Sequence, residues 1–238
     1  MPKPKLPDID YSWTPQLAYA VGLIATDGNL SSDGRHLTVK SADRQLLETF
    51  KTCLCLKNKI SKEKYRNCYR ISFGSVQLYR WLNRIGIKPA KSLTIGKIKI
   101  PDEYFRDFLR GHLDGDGSII LYNDRYNFYR GRQYNNLRTY LYFLSASGKH
   151  VQWIRGKLTA LTGISGALTK RVPKDKNRAT IWYIKIARHE SMSILKWLYY
   201  DKNLPCLMRK KRIAEKALTL GQNWQRKRYS LIPLRSSI

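Results

Sequence analysis

The sequence contains one pattern twice, and this repetition constrains the fold more than any other feature. Residues 14–28 begin with Thr14 as a candidate N-cap and Pro15 at the first helical position, then run apolar to an Asp-Gly pair. Residues 101–117 repeat this plan, from Pro101 to a second Asp-Gly pair. The repetition predicts two equivalent buried helices, each of which ends at an aspartate.

The similarity continues after each Asp-Gly pair, which is typical of an internal repeat rather than a coincidence. Each half offers strand-like residues, a Ser-Ala dipeptide that precedes an amphipathic helix, a basic hairpin and one further helix. The matching segments are 41–43 and 145–147 for the helix caps, 69–73 and 180–187 for hairpin strands, and 78–82 and 194–198 for the last helices. The sequence therefore predicts an α+β fold of two pseudo-equivalent halves.

The second half contains an insertion. The distance from Asp27 to the next cap, Asp43, is 16 residues, whereas Asp116 and Ser147 are 31 residues apart. The inserted residues belong to the segment 122–142, which holds six tyrosines and four arginines with Asn and Gly turn signals and predicts an extended hairpin. Two interpretations stay open, a ribbon laid on nucleic acid or an edge hairpin whose tyrosines pack on the sheet. The arginines are Arg125, Arg130, Arg132 and Arg138.

The charge of the chain favours a polyanionic partner. Forty-five Lys and Arg residues against 17 Asp and Glu give a formal charge of +28 and a pI of about 10.1. The basic residues are spread along the chain, as expected of a folded surface that meets nucleic acid; a merely solvated surface or an anionic membrane explains them less well. We expect a soluble intracellular protein, in a bacterial or archaeal cytoplasm or an organelle matrix, since no stretch resembles a membrane span or a signal peptide.

The aspartates at the helix ends need a compensating charge. A carboxylate in the last turn of a helix faces the negative end of the helix dipole and the free terminal carbonyls. A divalent cation held by carboxylate and carbonyl oxygens would offset this, and oxygen ligands are those that Mg²⁺ prefers. The alternative is that Asp-Gly only terminates each helix. The Asp-Gly pair occurs twice, at equivalent positions of the repeat, and this favours the metal site.

Small residues at every fourth position predict that the two helices pack closely. They are Ala18, Gly22 and Thr26 in the first helix and Gly111 and Gly115 in the second. Such a stripe lets two backbones approach each other. Pairing the helices about a pseudo-twofold axis would bring the two terminal aspartates together, an arrangement suited to phosphodiester hydrolysis.

The segments VGLIATDGNL (21–30) and RGHLDGDGSI (110–119) resemble the paired signature helices of the LAGLIDADG homing endonucleases. The resemblance implies a functional monomer of two αββαββα halves, whose antiparallel saddle-shaped sheets lie over double-stranded DNA. It further implies Mg²⁺-dependent cleavage of both strands across the minor groove, with Mn²⁺ able to substitute. It divides the chain into an N-terminal extension (1–11), a first half (12–88), a linker (89–100), a second half (101–220) and a basic tail (221–238).

The resemblance also assigns site residues. The last acidic position of the signature falls on Asp27 and Asp116, which would be the catalytic, metal-binding pair. The residues before them, Thr26 and Gly115, would offer backbone carbonyls to the metals.

The chain departs from the family pattern at one basic position in each half. Family members often carry a lysine just before the cap of the second helix, where this sequence has Ala42 and Ala146. Lys40 and Lys149 are the nearby auxiliary candidates, although both suit a solvated surface equally well.

Basic and polar residues that alternate with isoleucines are candidate DNA contacts in the sheets, because a strand places alternate side chains on opposite faces. These candidates are Arg70, Ser72, Lys97, Lys99 and Lys185.

Three functions therefore compete. The first is an endonuclease that is intron-encoded or free-standing rather than part of an intein. The second is an intron RNA maturase, since the charge and the tyrosines would suit RNA as well. The third is a DNA-binding regulator that does not cleave. The presence of both terminal aspartates favours the endonuclease.

Overall fold

The structure is a computed structural model. It describes residues 11–129 and 132–229, together with their side chains except those of residues 124–137, 188 and 221–229. The first half contains α1 (Pro15–Asp27), β1 (Gly28–Leu30), β2 (His36–Ser41), α2 (Arg44–Cys53), β3 (Ser61–Lys62), β4 (Tyr69–Gly74) and α3 (Val76–Ile85). The second half contains α4 (Phe105–Gly115), β5 (Ser118–Tyr129), β6 (Arg132–Ser145), α5 (Gly148–Thr162), β7 (Ala167–Arg171), β8 (Ile181–Ala187) and α6 (Arg188–Leu198), and α7 (Met208–Tyr229) follows it.

The two halves have the same topology. The first sheet has the strand order β1-β2-β4-β3 and the second β5-β6-β8-β7, with every pairing antiparallel. Each half thus follows the order αββαββα, and the predicted α+β fold of two pseudo-symmetric halves is confirmed. Residues 122–129 and 132–142 lie in the paired antiparallel strands β5 and β6, as the predicted hairpin requires.

The first central helix begins where the sequence indicates. The Thr14 hydroxyl accepts a hydrogen bond from the Leu17 N–H at 3.0 Å, and Pro15 occupies the first turn, where no N–H is required. α4 begins later than predicted, because residues 102–104 form a separate 3₁₀ turn after Pro101.

Each sheet buries one face. In the first sheet Val39 and Ile71 lie opposite each other and point into the core, as Leu141 and Ile186 do in the second. The helices α2 and α5 cover these faces with the residues that the helical period predicts, among them Leu47 and Ile154. The opposite face of each sheet carries the more exposed side chains, among them Ser72 and Tyr122.

The small-residue stripe brings the central helices into backbone contact. A Cβ added at Gly22 would lie 2.2 Å from the Phe108 carbonyl oxygen, and one added at Gly111 would lie 2.1 Å from the Tyr19 carbonyl oxygen. The contacts proceed in the same direction along both helices, since Gly115 contacts Thr26 one turn further on. α1 and α4 are therefore parallel and end side by side.

The linker corrects one expectation. Lys97 and Lys99 alternate with the buried Ile98 as predicted, but the segment belongs to neither sheet. The Lys99 N–H donates instead to the Ile85 carbonyl at 2.8 Å. The prediction that these two lysines lie in a sheet is wrong, because an extended linker that buries isoleucines against α3 gives the same alternation as a strand.

The last helix, α7, has 22 residues, with several Lys and Arg in its first half. Among the helices of the described ranges, none combines the length and the apolar character that crossing a membrane requires.

Candidate active site

Two carboxylates lie near each other at the ends of the central helices. Asp27 is the last residue of α1 and Asp116 caps α4. A Cβ added at Gly115 would lie 2.0 Å from the Thr26 hydroxyl oxygen and 3.0 Å from Asp27 Oδ2, so the end of α4 lies directly against Asp27. The juxtaposition expected from the sequence is present.

The environment of these carboxylates opposes their ionisation. Burial, followed by the negative charge of Asp116, raises the pKa of Asp27 to about 7. Burial also raises the pKa of Asp116, although its side chain is the more exposed of the two. Lys91 and Lys210 lower both pKa values, but do not cancel the effect. A cation bound at the two carboxyl groups would oppose this effect and favour their ionised form.

A buried lysine holds the end of α4. Lys210, in α7, is only 5% exposed, and its ammonium group donates to several carbonyls at the helix terminus. The distances from Nζ are 2.6 Å to Leu113 O, 2.8 Å to Asp114 O, 2.7 Å to Gly117 O and 3.5 Å to Gly115 O. The carbonyls of Leu113, Asp114 and Gly115 are among those that a helix leaves without an internal partner, and Gly117 follows the helix.

A second lysine has the equivalent position at the end of α1. Lys91, in the linker, is 6% exposed, and its ammonium group donates to the Gly28 carbonyl, with Thr26 O at 3.5 Å. Burial lowers the pKa of both lysines, while the nearby aspartates raise it. Part of the positive charge that the helix ends require is thus supplied by the chain itself.

Sequence reasoning did not identify these lysines. Each follows the third helix of its half and a proline, Pro89 before Lys91 and Pro205 before Lys210. This shared position after equivalent helices is the signal that could have found them.

The donor set at the carboxylates is suited to a hard cation. Carboxylate and backbone oxygens predominate there, as Mg²⁺ requires. Within the described part of the chain, no three His, Cys, Asp or Glu side chains are grouped to hold a metal. A cation would therefore depend on Asp27, Asp116 and non-side-chain oxygens, among which the carbonyls of Thr26 and Gly115 lie near a lysine as well.

The first acid of the DGDG sequence serves a different purpose. Asp114 is buried, and its Oδ2 accepts hydrogen bonds from the Tyr19 hydroxyl at 2.9 Å and the Leu207 N–H at 2.7 Å. Burial raises its pKa to about 6 despite these bonds. Asp114 thereby joins the central helices to the start of α7, the helix that carries Lys210.

The auxiliary lysines predicted from the sequence are on the surface. Lys40 forms an ion pair with Glu63 at 3.1 Å, and Lys149 is exposed in the first turn of α5. Ala42 and Ala146 precede α2 and α5, as expected. The cations that influence the two aspartates are Lys91 and Lys210 instead.

Several predicted contact residues lie on the outer sheet faces. Arg70 and Ser72 are exposed on β4, Lys185 lies on β8 with its ammonium 4.5 Å from the centre of the Tyr140 ring, and Arg138 lies on β6. The side chains of Arg125, Arg130 and Arg132 fall outside the described residues.

Comparison with solved structures identifies the fold. No family model matches the sequence, and no curated protein matches it. The LAGLIDADG meganuclease I-AabMI, solved bound to uncleaved DNA, aligns with a TM-score of 0.60 and 13% identity over 90% of this chain and 92% of its own. The LAGLIDADG homing endonuclease I-LtrWI, bound to target DNA, gives 0.54 and 11% over 92% and 93%.

Full-length WhiA from Thermotoga maritima also aligns, with a TM-score of 0.51 and 16% identity over 93% of this chain and 69% of its own. The N-terminal domain of WhiA is itself described as a LAGLIDADG domain. The chain therefore has the fold shared by the LAGLIDADG homing endonucleases and WhiA.

Proposed function

We propose that the protein is a site-specific endonuclease that hydrolyses both strands of a DNA duplex, of the intron-encoded type. The observation that carries this proposal is the pair Asp27 and Asp116, held together by two helices whose backbones touch. Two neighbouring carboxylates, each with an elevated pKa, are unfavourable for stability. Such a pair is typical of a catalytic site, and metal-dependent phosphodiester hydrolysis uses carboxylates in this way.

The partner proposed is double-stranded DNA. The charge of +28 provides the long-range attraction to phosphates, and I-AabMI and I-LtrWI, which share the fold, were both solved with DNA. Both carboxylates belong to one chain, which supports a functional monomer.

Asp27 and Asp116 would hold Mg²⁺, or Mn²⁺ in its place, assisted by the carbonyls of Thr26 and Gly115. Bound there, the ion would activate water and stabilise the leaving oxygen. Lys91 and Lys210 fix the two helix ends and thus the separation of the carboxylates. The near-twofold arrangement offers one carboxylate to each strand of the duplex.

Binding without cleavage is the second candidate, and one observation favours it. Since Lys91 and Lys210 already donate to the helix-end carbonyls, the chain itself compensates part of the negative charge there without a metal. An intron RNA maturase also stays a candidate, on charge and tyrosine content alone.

The test uses a duplex that carries the fused sequences flanking the reading frame, with Mg²⁺ or with EDTA. We expect wild type to cut both strands only with Mg²⁺, and Asp27→Asn and Asp116→Asn each to lose at least about a hundredfold in rate while still binding. Asp33→Asn, at an exposed turn, is the matched control. Specific binding without cleavage would favour the regulator, and tight binding of intron RNA with the duplex left intact would favour the maturase.

A further inference from the structure

The outer faces of the two sheets differ in chemistry although their topology is the same. On the first sheet, Asn29, Thr38 and Ser72 lie side by side across β1, β2 and β4, and the hydroxyls of Thr38 and Ser72 are 2.9 Å apart. Lys40 and Arg70 form the neighbouring cross-strand pair. This face offers hydrogen-bonding groups throughout.

The second sheet presents apolar and aromatic side chains on its outer face, beside Arg138 and Lys185. Ile120 and Tyr122 are each 44% exposed on β5, and Ile120 is directly opposite Tyr140 on β6. Tyr142 and Tyr183 continue the patch across β6 and β8, with ring centres 5.9 Å apart. We name the five apolar and aromatic residues the tyrosine face.

The tyrosine face is not a part of the core. The residues that alternate with it, such as Ile119, Leu141 and Ile186, are the ones that face the helices. An exposed apolar patch on a chain of charge +28 marks a contact surface rather than a solvated one. Lys185, beside Tyr140, provides a positive charge for a nearby phosphate.

Duplex DNA offers one matching apolar group. In the major groove the base edges present hydrogen-bond donors and acceptors, and the 5-methyl group of thymine is the apolar exception. We propose that the two halves of the DNA target are read differently: by hydrogen bonds to base edges under the first sheet, and by contacts with thymine methyl groups under the tyrosine face. This inference rests on the proposed DNA partner.

Unpaired RNA bases that stack on tyrosines are the main alternative, since exposed rings on a sheet can serve as stacking platforms. The arrangement of the rings opposes this. The planes of Tyr142 and Tyr183 are tilted by 57° against each other, and the Lys185 ammonium lies over the Tyr140 ring. The tilt keeps Tyr142 and Tyr183 from forming one flat platform, and the ammonium group occupies one face of Tyr140, so these three rings suit lateral contact with a methyl group better than insertion of a base.

The test selects binding sites from a randomised DNA duplex pool in EDTA, and then replaces each thymine of the selected site by uracil, which removes only the methyl group. To assign the half-sites, the selection is repeated with Thr38→Ala; the half-site whose sequence preference changes is the one under the first sheet. We expect uracil to weaken binding by about fourfold per contacted methyl in the other half-site, and to have no effect under the first sheet.

Ile120→Ala, at an exposed position, should remove the uracil penalty at one base pair, whereas Thr38→Ala should leave every penalty unchanged. A penalty that is absent, or equal in the two halves, would overturn the inference while leaving DNA binding intact. A pool without sequence preference would instead contradict the proposed function. Preference for single-stranded RNA over the selected duplex would overturn both.

Discussion

The ends of the central helices combine two carboxylates, Asp27 and Asp116, with two buried ammonium groups, those of Lys91 and Lys210. Asp27 and Asp116 were identifiable because a carboxylate at a helix end is unfavourable and its repetition is informative. Lys91 and Lys210 were not, because they are two of 45 basic residues and only the path of the linker and of α7 brings them to the helix ends. A lysine that donates to backbone carbonyls has no recognisable pattern in the sequence around it.

Two histidines that the sequence patterns do not single out are buried in the second half. His112 and His150 lie beneath the second sheet with ring centres 5.4 Å apart. His150 donates from Nδ1 to the Gly96 carbonyl at 2.7 Å, while its Nε2 and both nitrogens of His112 have no hydrogen-bond partner among the described residues. Burial lowers the pKa of His150 to about 4 and that of His112 well below its usual value.

This pair predicts a loss of stability in acid. Below pH 6.5 the unfolded chain binds a proton at His150 and the folded chain does not until about pH 4, so the free energy of unfolding falls across this window, by up to about 3 kcal/mol from His150 alone. Asp27 and Asp114 act in the opposite direction, because their pKa values are raised and the folded state takes up their protons first.

Wild type and His150→Asn contain the same carboxylates, so the difference between their unfolding free energies reports on His150 alone. The Asn side-chain amide can still donate to the Gly96 carbonyl. Urea unfolding from pH 7.5 to pH 4.5 should show that wild type loses stability relative to this variant as the pH falls. Parallel curves for the two proteins would mean that His150 takes up its proton at the same pH in the folded and unfolded chains, which would contradict the lowered pKa.

At the scale of elements, most helices and strands follow from the sequence, but their tertiary partners do not. Asp43 and Ser147 precede α2 and α5 as predicted, yet neither side chain caps its own helix. Asp43 pairs with Arg209 of α7 at 2.7 Å, and the Ser147 hydroxyl donates to the Ile95 carbonyl of the linker at 2.5 Å. The capping pattern thus predicts where each helix starts, but the Asp43 and Ser147 side chains bind partners far away in the sequence rather than their own helices.

The contact between α1 and α4 predicts opposite effects for two glycine substitutions. In Gly111→Ala the new methyl would lie 2.1 Å from the Tyr19 carbonyl oxygen, which separates the helices and should cost at least about 3 kcal/mol. Gly156→Ala, in the exposed face of α5 with no atom within 4 Å, should stabilise the protein by about 0.5–1 kcal/mol. Thermal and urea unfolding of both variants would test this, and equal effects would contradict the close approach.

At the scale of the whole molecule, the repeat predicts the symmetry and the insertion predicts its violation. β1 and β2 have 3 and 6 residues, whereas β5 and β6 have 12 and 14. Even the shorter strand of the second hairpin, β5, has six residues more than β2, the longer strand of the first; at roughly 3.3 Å per residue this adds about 20 Å, or about six base pairs of duplex. The proposed DNA target should therefore be contacted over a longer distance under the second sheet.

Shortening the hairpin would test this asymmetry. Asn123 and Leu137 are paired in register, so an Asn-Gly turn can replace residues 124–136 and leave β5 with six residues, as in β2. We expect the hydroxyl-radical footprint to shrink by about six base pairs on one side only. Because the deletion removes Arg125, Arg130 and Arg132, the slope of log affinity against log salt should decrease by up to about 3. An unchanged footprint and slope would place the hairpin away from the DNA, as an edge hairpin that only extends the sheet.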